Sequence, residues 1–146
     1  VNRKEAGKSD AKITSLIISL LTDEKNKELK QDALKALRKK NGKEVLLQAI
    51  EENKKHTKLF LLVAACWESG IDFAEEISFF VDLSIASDYK VCLEALTVIE
   101  QAGNSVDKKL IVDSIEKLNV EIQKEKGEKT ALFSDIIILL NKKLQT

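Results

Sequence analysis

Proline is absent from this chain of 146 residues. An average composition would supply about seven. Proline punctuates loops and strand edges and breaks helix interiors. Its absence, together with only five glycines, argues against a sandwich of short strands and for a chain that is helical nearly throughout. Hydrophobic content of 44% with 33% charged residues fits one globular domain over 1–146 rather than a disordered chain. Methionine is also absent, and residues 1–8 are expected to be a disordered or tag-like N-terminus.

Apolar positions recur at helical spacing and divide the chain into eight segments. The first begins at Ser9 or Asp10, carries Ile13, Leu16, Ile17, Leu20 and Leu21, and ends near Thr22. The second, from about Asn26 to Lys40, has Leu29, Ala33, Ala36 and Leu37 as its stripe, with Asn41-Gly42 as a C-terminal cap. A short third segment holds Val45, Leu46, Ala49 and Ile50. Thr57 is placed to cap the fourth, Lys58 to Ser69, which Gly70 closes. Asp72 caps the fifth, Ser87 or Asp88 the sixth and Ser105 the seventh. Gly103 follows the sixth, and Leu110, Ile111, Ser114, Ile115, Leu118 and Ile122 form the stripe of the seventh. The eighth holds Leu132, Phe133, Ile136, Ile137, Leu140 and Leu144. Leu59–Trp67 and Ile136–Leu140 are short apolar runs that also read as strands, but each sits inside a longer helical frame.

Gly70 and Gly103 lie 33 residues apart, and aligning them superposes Leu59 on Cys92, Leu62 on Ala95, Val63 on Leu96 and Cys66 on Ile99. Eight helices then fall into four antiparallel pairs, each too small to bury its own stripe. The fragment Asp32-Ala33-Leu34-Lys35-Ala36-Leu37 resembles the second helix of a HEAT unit. Ser87-Asp88-Tyr89-Lys90-Val91 followed by Glu94-Ala95-Leu96 echoes it. The resemblance to HEAT or armadillo repeats implies an all-α, short right-handed α-solenoid. An irregular α-helical bundle is the competing architecture. The resemblance also implies that the second helix of each pair lines a concave, partner-binding face. The polar edges of those helices nominate Gln31, Lys35 and Arg38, then Leu61 and Glu68, then Lys90, Glu94, Thr97 and Gln101. On the last helix they nominate Ser134, Asp135 and Ile138.

Charge is balanced overall but not along the chain. Residues 1–58 hold 15 Lys/Arg against 9 Asp/Glu, and residues 59–107 hold one against nine. The neutral whole gives no general signal for nucleic acid, although Arg38, Lys39, Lys40, Lys43, Lys54, Lys55 and Lys58 keep that class as the alternative. No run approaches the ~18 apolar residues of a membrane span. Cys66 and Cys92 sit in apolar surroundings and, seven residues out of register on neighbouring helices, fall ~10 Å apart along the axis. They are expected as buried free thiols in a reducing, cytoplasmic setting.

Catalytic signals do not converge. The only histidine, His56, lies in the polar connection Asn53-Lys54-Lys55-His56-Thr57 without an oriented partner. Two cysteines and one histidine do not make a zinc site. Asp72, Glu75, Glu76 and Asp82 form an acidic edge on the fifth segment, and Asp72, Glu75 and Glu76 are better read as acids of the first helical turn. The expectation is a non-enzymatic scaffold without cofactor or metal, binding a protein or peptide. The apolar run Ile136–Leu140 marks the last helix as a possible oligomer contact.

Overall fold

The computed structural model describes residues 27–39, 41–124 and 127–146, together with residue 19. Of the expected first helix only residue 19 is among them, and residues 1–8 lie outside them. The described residues form seven α-helices and one 3₁₀ turn, with no strand among them. Both short apolar runs with strand character are helical. The described residues divide into two compact units, one ending at Ile71 and one beginning at Asp72.

The first unit contains α1 (Lys27–Lys39), α2 (Gly42–Glu52) and α3 (Leu59–Glu68), with α2 packed against both α1 and α3. The buried stripe of α1 is Ala33, Leu34 and Leu37. Leu29 is instead 45% exposed, and Ala36 is exposed. The core face is thus turned toward Leu34: Leu34 and Leu37 (i, i+3) share it with Ala33 and Leu37 (i, i+4), and Ala36 lies off it. The Asn41-Gly42 pair also divides its work differently from the expected cap. Asn41, in the left-handed conformation at φ 44°, is the N-cap of α2, and its carbonyl accepts from Val45 N–H at 3.1 Å. Gly42 opens α2, where any Cβ would collide with the Leu37 carbonyl oxygen.

Between α2 and α3, Asn53 Nδ2 donates to the Ala49 carbonyl at 2.7 Å. His56 Nδ1 accepts from the Lys58 backbone N–H at 3.0 Å. Thr57 is not the cap of α3: Lys58 holds that position without a side-chain cap bond. Helix α3 is apolar nearly all round, and Leu59, Leu62, Val63, Ala64, Ala65 and Cys66 are buried. It ends in Ser69, whose Oγ donates to the Cys66 carbonyl, and in Gly70 at φ +77°.

The second unit contains the turn Ala74–Glu76 and four helices: α4 (Ile77–Ala86), α5 (Tyr89–Gln101), α6 (Lys108–Lys124) and α7 (Lys129–Leu144). Helix α4 packs on α5 and α6, and α7 packs on α5 and α6. Phe80 is fully buried, with Phe73 and Phe79 edge-on to it at 5.4 and 5.2 Å. Asp88 caps α5 by accepting from Val91 N–H at 3.0 Å. Asp107, not Ser105, caps α6: its Oδ1 accepts from Lys109 and Leu110 N–H. Asp107 immediately precedes the first helical residue, where a carboxylate reaches the N2 and N3 amides. Asp72 does not cap α4, which starts five residues later. Its Oδ1 accepts from both Ala74 and Gly103 N–H at 2.9 Å, tying the start of the unit to the end of α5.

Two lysines of α7 close the carboxyl ends of α4 and α5. Lys129 Nζ donates to the Ile85 and Ser87 carbonyls at the end of α4 and lies 5.1 Å over the Phe133 ring. Lys143 Nζ donates to the Ala102 and Gly103 carbonyls after α5. Each cation meets the negative end of a helix dipole.

Candidate functional site

Helices α4 and α6 lie side by side, and their facing flanks enclose an open groove of about 630 Å³. The core positions of α6 are Ile111, Ser114 and Leu118. One step around the wheel, Leu110, Asp113, Lys117 and Val120 follow at i, i+3, i+7 and i+10, which puts them along one edge. That edge faces Ser78, Asp82 and Ile85 of α4. Leu110 is 44% and Val120 50% exposed. The groove therefore presents apolar side chains that the unit does not bury. Its rim is acidic, with four carboxylates, Asp82, Asp113, Glu116 and Glu121, against the single ammonium of Lys117. Lys117 bridges the two helices by bonding Asp82 at 3.1 Å. Both groups are half exposed, so the pair is a weak strap. A smaller hollow of about 180 Å³ adjoins the groove at Ser78 and Leu110 and adds Glu75 and Asp107.

The sequence-nominated residues lie elsewhere. In the first unit Gln31 and Lys35 are exposed on α1, and Leu61 is half-buried on α3. Glu68 pairs with Lys30 at 3.1 Å. Arg38 Nε donates to the Ser69 carbonyl. Arg38 and Glu68 thus join α1 to the end of α3. In the second unit Lys90, Glu94, Thr97 and Gln101 run along one edge of α5 at i, i+4, i+7 and i+11. Lys90 and Gln101 are exposed, and Glu94 and Thr97 are half-buried. None of these residues lines the α4–α6 groove. On α7, Ile138 is 55% exposed, between buried Ile136 and Leu140.

The helical stripe of the seventh segment places Leu110 in the core and assigns Val120 no face, so it does not mark the groove. A signal was present. Helix α6 carries Leu110, Ile111, Val112, Ile115, Leu118, Val120 and Ile122, more apolar positions than a single buried stripe needs.

The reactive side chains stand apart from the groove. Cys66 and Cys92 are both buried and unbonded. Burial pushes the Cys66 thiol far above its usual range. His56 is exposed in its turn. Burial lowers the Lys143 ammonium below its ordinary value, and the nearby Asp72 carboxylate partly opposes that shift. Among the described residues, no group of three or more His, Cys, Asp or Glu is placed to hold a metal ion. No described helix is long and apolar enough to cross a membrane. The chain matches no protein-family model, no curated protein and no solved structure.

Proposed function

We propose that the chain is a non-enzymatic helical-repeat scaffold that binds a protein or peptide, and that the α4–α6 groove receives it. The observation that carries this role is the groove itself, with Leu110 and Val120 exposed along a trough whose rim is charged. A solenoid of HEAT or armadillo type is supported by the packing order within the second unit. Helices α4 and α5 pair, α6 and α7 pair, α4 meets α6, and α5 meets α7. Two stacked helical hairpins make those four contacts, and so does the competing helical bundle. The α4–α6 side is then the layer of first helices, and the edge Lys90, Glu94, Thr97 and Gln101 belongs to the layer of second helices. Nucleic-acid binding is less well supported. Lys30, Arg38 and Lys54 of the basic first unit are turned to Glu68, the Ser69 carbonyl and Glu51, and the groove repels phosphate.

Panning a random peptide display library on the whole chain, with counter-selection against Val120→Asp, tests the role. Val120 is half exposed, so the variant retains its circular dichroism spectrum. Peptides that hold the wild-type chain and release the variant support the groove as a binding site. A library that yields none overturns it.

A further inference from the structure

We propose that the groove's partner is a short amphipathic helix bearing Lys or Arg, seated along α4 and α6 with its apolar stripe on Leu110, Val120 and Ile85. This rests on the binding role given above and adds the partner's shape and charge.

Shape follows from the walls. Strand addition needs a sheet edge with unpaired backbone groups, and the groove is walled by two α-helices whose backbones are paired internally. Polyproline docking uses aromatic-lined grooves, and none of the lining residues is aromatic. The trough between two neighbouring helices instead accepts the ridge of a third. Leu110 and Val120 stand ten residues apart on α6, which is ~15 Å at 1.5 Å per residue. About three turns of a docked helix span that distance, with apolar residues at i, i+3 or i+4, i+7 and i+10.

Charge follows from the rim. Lys117 is engaged with Asp82. Lys124 lies 3.8 Å from Glu121. That leaves Asp113 and Glu116, which among the described residues form no ion pair, on the solvent side of α6. Glu75 and Asp107 extend the same sign beyond Leu110. Cations flanking the apolar stripe of a docked helix meet these carboxylates, whereas acidic flanks are repelled.

The groove-dependent peptides recovered by panning decide the point. They are expected to be enriched in Lys and Arg, to repeat apolar residues at helical spacing and to gain helical circular dichroism on binding. A synthetic copy labelled for fluorescence anisotropy is expected to bind the double variant Asp113→Lys/Glu116→Lys at least about tenfold more weakly, and to weaken between ~50 and ~300 mM salt. Groove-dependent peptides that are acidic, or that bind without becoming helical, overturn this inference and leave the binding role standing. Undiminished affinity for the charge-reversed chain does the same. A dimer seen by sedimentation and abolished by Val120→Asp names a second copy as the occupant and likewise overturns it. Absence of any groove-dependent peptide removes the binding role as well.

Discussion

Replacing Gly103 with alanine would put a Cβ 2.9 Å from Asp72 Oδ2, closer than real Cβ contacts come. The carboxylate cannot simply swing away, because its other oxygen accepts from both Ala74 and Gly103 N–H at 2.9 Å. Overpacking of this kind costs about 1–2 kcal/mol. The loss of backbone freedom in the unfolded chain returns about 0.4–1 kcal/mol. Gly103→Ala is therefore expected to destabilise by up to about 1.5 kcal/mol. Asp72→Ala deletes the acceptor. Two backbone bonds at a solvent-exposed carboxylate contribute about 1–2 kcal/mol together. In the Asp72→Ala background the clash is gone, and Gly103→Ala changes sign to a stabilisation of about 0.4–1 kcal/mol. The double-mutant cycle should give a coupling of about 1–2 kcal/mol. Urea unfolding followed by far-UV circular dichroism reads it, and each kcal/mol moves Tm by about 2–4 °C in a chain near this size. Additivity within ~0.3 kcal/mol would refute the account of Asp72 as the tie between the start of the unit and the end of α5.

Three further outcomes are expected. The Lys143 pKa is lower in the folded chain than in the unfolded one. The unfolded state therefore binds more protons as pH approaches the ordinary lysine value of 10.5, and Lys143 makes stability rise with pH there. Lys143→Met should flatten that rise in urea titrations at successive pH values, and an unchanged slope would contradict it. Gly70→Ala forces a side chain into φ +77° and should cost about 1–2 kcal/mol by the same unfolding assay, with a neutral result counting against the turn. Iodoacetamide at pH near 8 should leave Cys66 and Cys92 unlabelled in the folded chain and modify both in urea, as read by mass spectrometry, because both thiols are buried. Rapid native labelling would show that these positions open.

The helical class was legible because it depends on local signals: no proline, apolar spacing near 3.6 and capping residues between stripes. Asp88 was within reach for that reason. Between Ser105 and Asp107, both good caps, the choice turns on which carboxylate or hydroxyl reaches the amides of Lys109 and Leu110, and composition does not say. Lys143 reads in sequence as a cation in a last turn. Its burial at 5% exposure arises only because the end of α5 supplies two carbonyls to receive it. Gly103 shows the same limit from the other side. It marks a helix end in the sequence, but the reason for its size is an Asp72 carboxylate 31 residues away. The groove was the least legible feature. It exists because α4 and α6 pack side by side and leave Leu110 and Val120 exposed between them, and side-by-side placement of distant helices is not written in either helix alone.

The central claim is that a peptide partner sits between α4 and α6. The direct measurement is a ¹H–¹⁵N chemical-shift map of the whole chain titrated with a groove-selected peptide. Perturbations are expected to concentrate at Ser78, Asp82 and Ile85 and from Leu110 to Glu121. Perturbations confined to Lys90, Glu94, Thr97 and Gln101 on α5, or to the first unit, would contradict it.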